Sequence, residues 1–190
     1  TTLGTQMKAT GEVMGIGMNF SESLLKGLRS LEIGIYHIRM EKFDSFSAPE
    51  LFDYISEFNY DNIYAIAELF RRGAELEKIH EICKISDFFL NAVREITELE
   101  TVLTKNIGDT ELLIKAKKLG FSDRVVAELW ETNEDEIFRL RKKNKIFPEF
   151  KMVNSKNSRA YIPYFFSTYN AAGDSVPDFK KKIVVLGSGP

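Results

Sequence analysis

Cysteine, histidine and long apolar runs are scarce in this sequence, and each scarcity excludes a class of protein. The single cysteine, Cys83, cannot form a disulfide within the chain, and one thiol is typical of a reducing compartment. The longest apolar runs, such as Ile183–Leu186, fall far short of the ~20 residues that a membrane-spanning helix needs. No basic stretch followed by an apolar one marks a secretion signal at the start. We therefore expect a cytoplasmic protein without a membrane partner.

An excess of charge of one sign is lacking as well. The formal net charge is −2, so no overall positive field would attract nucleic acid or an anionic lipid surface. The hydrophobic share of 44% and the charged share of 28% are those of an ordinary globular protein. A length of 190 residues allows one domain with a core of its own, together with flanking pieces.

Helical periodicity dominates the middle of the chain. Asn19 is the predicted N-cap of a first helix, with Glu22 three residues later as in a capping box and Gly34 as its stop. From Ser47 onward, roughly a hundred residues predict further short helices. The signals are the cap Ser47 with Pro49 in its first turn, Asp61–Arg72, Glu75–Lys84, the cap Ser86 before the stripe Phe89, Val93, Ile96, Leu99 and Leu103, Asp109–Leu119, Ser122–Glu131, and the cap Asn133. Short turns between them predict a mainly α fold, a multi-helix orthogonal or antiparallel array.

Short β segments are predicted at both ends. Thr1–Met18 carries four glycines and reads as strand and turn, and Tyr161–Tyr169 is aromatic and β-prone. Asn170–Lys182 reads as a linker, after which Ile183–Leu186 has the pattern of a buried strand before the turn Gly187–Pro190. A strand and a glycine turn do not make a fold. We interpret both ends as parts of truncated neighbouring α/β domains.

Few residues have a pattern that could support chemistry. His80 and Cys83 lie three residues apart on one predicted helix, but a zinc site needs four protein ligands, or three and a water. The other histidine, His37, lies in an unassigned segment and has no link to the thiol that nucleophilic catalysis would need. Paired carboxylates are expected on solvated helix faces or at a helix start, and these are Glu98 with Glu100 and Glu134–Glu136. We predict no catalytic, cofactor-binding or metal-binding residue.

Three segments have features that are typical of a binding site. Ser122–Lys145 has the outline of a helix-turn-helix, but its basic residues cluster at the C-terminal end of the second helix, whereas such modules read bases near the N-terminal end. The aromatic run Tyr161–Tyr169 resembles a stacking platform, yet Arg159 is the one basic residue beside it. The turn Gly187–Pro190 could approach a phosphate, although no helix follows it and Pro190 lacks an N–H donor. Packing explains the first two features better, and the phosphate signal of the glycine turn is weak, so we expect no nucleic-acid partner.

Several motifs resemble the large subunit of carbamoyl phosphate synthetase. Met7–Gly17 reads MKATGEVMGIG and precedes NFSESLLKGLRSLEIG, which resembles the end of the first ATP-grasp half in that family. Tyr164–Tyr169 (YFFSTY) and Lys181–Pro190 (KKIVVLGSGP) resemble the start of its second half. Three more segments follow the order of the family: Asp61–Gly73 (DNIYAIAELFRRG), Gly120–Arg124 (GFSDR) and Arg139–Lys142 (RLRK). The resemblance covers essentially the whole chain.

This resemblance implies a division into three parts. Residues 1–46 would be the end of the first, carboxyphosphate half, 47–169 the helical oligomerisation domain, and 170–190 a linker with the first strand of the second, carbamoyl phosphate half. One segment departs from the family, because Val153–Lys156 stands where Val-Asp-Thr-Cys-Ala is usual. No role is therefore carried over to the Asn154-Ser155-Lys156 loop.

The resemblance also implies a function for the parent subunit. That subunit is an ATP-dependent carbon–nitrogen ligase that makes carbamoyl phosphate from bicarbonate, ammonia and two ATP for arginine and pyrimidine synthesis. Its ammonia comes from glutamine through a small amidotransferase subunit. ATP and Mg²⁺ or Mn²⁺, with K⁺, are implied for the parent only, since their ligands lie in the ATP-grasp lobes. Glu12 and the turn Gly187–Pro190 border those lobes and receive no role.

The chain itself is expected to be a non-catalytic connector. Its implied partners are the flanking ATP-grasp halves and a second copy of itself. The alternative is a ligase fragment that keeps some affinity for ATP at its glycine turn.

Overall fold

The computed structural model describes residues 13–153, 164–175 and 180–185. Within them the chain forms eight α-helices, one short 3₁₀ turn (Glu41–Phe43) and two strands. The helices are α1 (Phe20–Ser30), α2 (Ala48–Ser56), α3 (Asn62–Arg71), α4 (Leu76–Cys83), α5 (Asp87–Lys105), α6 (Thr110–Leu119), α7 (Asp123–Leu129) and α8 (Glu134–Lys143). The strands are β1 (Glu149–Met152) and β2 (Phe165–Thr168). The mainly α fold predicted from the sequence is confirmed.

Side-chain caps fix the start of most helices. The side chains of Asn19, Ser47, Ser86 and Asn133 each accept a hydrogen bond from a backbone N–H in the first turn of the helix that follows. These donors would otherwise lack a partner, because no earlier carbonyl of the helix can reach them. Asp61 precedes α3 as predicted but does not cap it. The predicted helix starts therefore rest on local chemistry that the sequence shows directly.

The first helix differs from its prediction at both ends. Its capping box is not closed on Asn19, because the Glu22 carboxylate accepts from the backbone N–H of Met18 instead. The helix also ends at Ser30, well before the glycine expected to stop it. Glu32 adopts a left-handed backbone with φ of 54°, so the chain leaves the helix before Gly34.

The longest helix, α5, lies at the centre of the array. It packs against α1, α3, α4, α6 and α7. Its buried apolar side chains are Leu90, Val93, Ile96, Leu99 and Leu103. The predicted stripe was thus correct except at its start, where Phe89 is 43% exposed and Leu90 takes the core position.

Tryptophan ties the central helix to the last pair of helices. Trp130, at the end of α7, is 3% exposed, and its indole N–H donates to the carbonyl of Leu103 over 2.9 Å. A buried indole contributes a large apolar area, and its one polar atom needs a partner when water is excluded. This bond fixes α7 on the C-terminal part of α5.

The two strands form an antiparallel pair beside the helices, with Glu149 opposite Thr168 and Met152 opposite Phe165. The β structure predicted for the aromatic run is confirmed in β2, whereas β1 was not predicted. Residues 183–185, where a strand of a neighbouring domain was expected, have no strand partner within the described ranges and are 80–91% exposed. A buried strand needs neighbours that cover it. Residues 13–18 also contain no strand, and residues 1–12 and 186–190 lie outside the described ranges.

Candidate functional site

A buried carboxylate in the first turn of α1 joins two distant parts of the chain. Glu22 is 1% exposed, and its Oε2 atom accepts three hydrogen bonds. The donors are the backbone N–H of Met18 at 2.9 Å, the Thr168 hydroxyl at 3.0 Å and the side-chain amide of Asn170 at 3.0 Å. We call residues 13–18 the leading segment, residues 164–170 the trailing segment, and this cluster of bonds the Glu22 junction. Both segments meet at one oxygen atom.

Lys26 repeats this connection one turn later on α1. Its ammonium binds Glu22 Oε1 at 2.8 Å and also donates to the carbonyl of Ile16 at 2.9 Å and to that of Ser167 at 2.5 Å. The ring of Phe166 lies 5.4 Å from the same nitrogen, within the range of a cation–π contact. A single lysine therefore holds the leading and trailing segments against α1.

The C-terminal end of α6 completes the junction. The carbonyl of Lys118 accepts from the side-chain amides of Asn170 at 2.7 Å and of Asn19 at 3.2 Å. Carbonyls in the last turn of a helix have no partner within the helix, so these amides satisfy an otherwise free acceptor. The junction thus links α1, α6 and the trailing segment.

A second buried network joins α6, α7 and α8. The Asp123 carboxylate binds Lys117 at 2.9 Å and a fork of Arg141 nitrogens at 2.5–2.9 Å, and all three residues are at most 8% exposed. Burial raises the pKa of Asp123, but the Arg141 hydrogen bonds and the Lys117 charge outweigh it and hold the pKa below its usual range. Burial lowers the pKa of Lys117 more than Asp123 raises it. Asp123 is therefore the anion on which two buried cations depend.

A third network joins α3, α5 and the segment before the 3₁₀ turn. Glu100 accepts from Arg71 Nε at 2.6 Å and from His37 Nε2 at 2.7 Å, while Arg71 also donates to the carbonyl of Ile38 at 2.8 Å. Burial raises the pKa of Glu100, but the hydrogen bonds from His37 and Arg71 and the Arg71 charge lower it below its ordinary value. The expectation that Glu100 is solvated is wrong, since it is 8% exposed. Its companion Glu98 is exposed as predicted.

Three phenylalanine rings, the half-buried Phe20 and the exposed Phe88 and Phe89, form a surface cluster where α1 meets α5. Phe20 lies 4.9 Å from Phe89 and 6.0 Å from Phe88 between ring centroids, and the latter two rings are 5.2 Å apart. Phe88 is 65% and Phe89 is 43% exposed. A group of aromatic rings that contact each other at a protein surface is typical of an interaction site.

Comparison with known protein families gives a match over most of the chain. The family model described as the carbamoyl-phosphate synthetase large chain, oligomerisation domain, matches residues 12–145. The chain belongs to this family. The matched range holds all eight helices, with Glu22, Lys26 and the two interior ion-pair networks. The resemblance seen in the motifs is therefore confirmed at the level of the family.

The histidine and cysteine considered as metal ligands are otherwise engaged in this oligomerisation domain. His80 Nδ1 donates to the carbonyl of Ile85 at 2.7 Å and lies 3.1 Å from an Asp87 carboxylate oxygen. Cys83 is 3% exposed, and burial raises the pKa of its thiol. In residues 13–153, 164–175 and 180–185, no three histidine, cysteine or acidic side chains gather where they could hold a metal ion.

Two of the basic residues in the helix-turn-helix outline of the oligomerisation domain form ion pairs within the chain. Arg141, in the basic end of α8, is buried on Asp123, and Arg139 binds Glu136 at 2.6 Å. The acidic residues Glu134–Glu136 are exposed at the start of α8, as expected.

Two rings of the aromatic run, among the residues that the structure describes, contact buried or half-buried lysines. The Phe166 ring lies near Lys26, and the Tyr169 ring lies 5.2 Å from the Lys117 ammonium, against the core. Tyr164 is 55% exposed. Tyr161, Arg159, Glu12, the turn Gly187–Pro190 and the Asn154-Ser155-Lys156 loop lie outside the described residues.

No helix in the described ranges combines the length and apolar character that crossing a membrane requires.

Proposed function

We propose that this chain is the helical connector between the two halves of a carbamoyl phosphate synthetase large chain and that it provides a self-association surface. The observation that carries the proposal is the Glu22 junction. A domain inserted between two others receives the polypeptide from one of them and returns it to the other, so its entering and leaving segments both have to be anchored. The junction holds the segments before and after the helical array side by side on α1.

The reaction of the parent is part of this proposal. The large chain would make carbamoyl phosphate from bicarbonate, glutamine-derived ammonia and two ATP, with the ammonia supplied by a small amidotransferase subunit. ATP, Mg²⁺ or Mn²⁺, and K⁺ would act in the flanking ATP-grasp halves. The buried charged groups of this chain support a connector, because they satisfy each other in ion pairs between helices.

The self-association surface that we propose is the cluster of Phe20, Phe88 and Phe89, and its occupant is a second copy of this chain. In a two-fold interface, a surface patch on one copy packs against the same patch on the other copy. Arg94 and Glu98 lie on the exposed side of α5 next to the rings and provide both signs of charge. The Arg94 Nε atom is 3.8 Å from Glu98 Oε1. Such a patch can face its copy without like charges meeting, which favours self-pairing over pairing with a strongly charged partner.

Sedimentation velocity of the chain over a wide range of concentrations tests the self-association. A reversible monomer–dimer equilibrium is the expected result. A strict monomer at the highest concentration would contradict the proposed surface.

Titration of the chain with Mg-ATP in a calorimeter tests the connector role against the alternative of a nucleotide-binding ligase fragment. No heat of binding is expected. Binding with a micromolar Kd would contradict a chain that only connects and self-associates.

A further inference from the structure

We infer that Glu22 couples the leading and trailing segments, so that loosening either segment releases the other. This role goes beyond connecting two domains, because a connector could hold its two flanking segments independently. It also holds whether or not the chain self-associates.

The leading and trailing segments share one hydrogen-bond acceptor. Met18 in the leading segment and Thr168 and Asn170 in the trailing segment all donate to the same Oε2 atom. Bonds to an ionised carboxylate are stronger than bonds between neutral groups, and their geometry is set by where the carboxylate sits. A rotation of the Glu22 side chain therefore breaks bonds to both segments together.

Burial of the Glu22 carboxylate makes the two segments depend on each other. Glu22 and Thr168 are each 1% exposed, so the trailing segment keeps water away from the carboxylate. In a water-excluded site a hydrogen bond is stronger, and an unpaired charge is costly. When the trailing segment withdraws, water reaches Oε2 and competes with the N–H of Met18. The leading segment then loses its bond although none of its own residues has changed.

The leading segment also lies directly on the carboxylate. A Cβ atom added to Gly17 would sit 2.9 Å from Glu22 Cγ, which is closer than real Cβ contacts allow. Lys26 gives a second bridge of the same kind, through the carbonyls of Ile16 and Ser167. Two parallel bridges on successive turns of α1 leave neither segment free to move alone.

Hydrogen exchange at single amides of the whole chain tests the coupling from the trailing side. The double substitution Thr168→Val with Asn170→Ala removes both donors of the trailing segment to Oε2. We expect the Met18 amide to exchange about tenfold faster or more, because local opening sets its protection. The matched control is Ser167→Ala, which changes an exposed side chain of the same strand and leaves its carbonyl on Lys26.

Two results would overturn the inference. Unchanged exchange at Met18 would show that the two segments are held independently. An equal acceleration at Met18 and at Ile96 in the core of α5 would show a loss of global stability instead of a local release.

The reverse experiment starts from the leading side, since coupling between two sites must be reciprocal. Gly17→Ala should displace Glu22 and speed exchange of the backbone N–H of Asn170, which donates to the Thr168 hydroxyl at 3.1 Å. The control is Gly27→Ala, since a Cβ atom there meets nothing within 4 Å. Faster exchange at Asn170 in the Gly17 variant alone would support the coupling. Equal exchange in the two variants would overturn it.

Discussion

The backbone of Gly120 passes so close to α1 that a Cβ atom on it would lie 2.9 Å from Glu22 Cα. Gly120 also adopts a left-handed backbone with φ of 96°, where it ends α6. Two independent constraints therefore select glycine at this position, and both act at the Glu22 junction.

Replacing Gly120 by alanine should lower the free energy of unfolding by roughly 2–4 kcal/mol. The left-handed backbone costs alanine roughly 1–2 kcal/mol, and the overlap with the α1 backbone forces further movement. Urea denaturation measures the change. Gly108→Ala is the matched control, because Gly108 has φ of 80° but its added Cβ would meet nothing within 4 Å. Equal losses in the two variants would show that the close approach to Glu22 adds nothing.

Asp123→Asn should be one of the most destabilising single substitutions in the chain, at about 3–5 kcal/mol. The neutral amide leaves the buried charges of Lys117 and Arg141 without their anion. Thermal or urea unfolding provides the measurement. Lys117→Met should lower the free energy of unfolding by less, because Arg141 still pairs with the Asp123 carboxylate. The substitution also removes a buried ammonium group, whose charged form burial disfavours. A larger loss in the Lys117 variant would contradict this assignment of roles.

Glu100 should make the stability of the chain depend on acid pH. Its pKa in the folded chain lies below the ordinary value of 4.5, so the unfolded carboxyl takes up a proton first as the pH falls. Its contribution is present above that value and is lost as the pH falls through the folded pKa. In Glu100→Gln, stability at neutral pH should fall by about 3 kcal/mol, because Arg71 loses its partner.

The difference in unfolding free energy between about pH 7 and about pH 4 should also shrink in that variant. Glu98→Gln, which removes an exposed carboxylate from the same helix, serves as the control. An identical pH dependence in the wild-type chain and Glu100→Gln would contradict the assignment.

Phe88→Ser should weaken self-association, because it removes the most exposed ring of the cluster between α1 and α5. We expect the dimer Kd to rise at least about tenfold, the loss found when a central aromatic anchor is truncated. Phe138→Ser on α8 is a suitable control, since Phe138 is also exposed and helical. Sedimentation velocity measures the dimer Kd of both variants, and only that of Phe88→Ser should rise. A weaker dimer with Phe138→Ser alone would place the interface elsewhere.

Local signals in the sequence predicted the helices well. The caps Asn19, Ser47 and Asn133 form bonds with residues three positions away, so a reader of the sequence sees both partners together. Strand β1 was missed because its partner, β2, lies beyond a long intervening segment. The strand expected from Ile183 likewise depends on a neighbouring strand that no local pattern reveals.

The buried charges were the least predictable part of the site, because their partners come from distant segments. A partial signal was nevertheless present for Glu100, which lies four residues after Ile96 and three before Leu103 on the buried face of α5. Arg141 likewise follows Ile137 by four residues on α8. A charged residue within an apolar helical stripe indicates a buried ion pair, although it does not name the partner.

The single tryptophan gives this chain an internal optical probe. Because the Trp130 indole is enclosed between α7 and α5, its fluorescence should emit at short wavelength when these helices are packed and shift to the red when they separate. Its signal reports the core alone, since the Glu22 junction lies on other helices. Comparing fluorescence with amide exchange at Met18 therefore separates release of the two flanking segments from unfolding of the helical array.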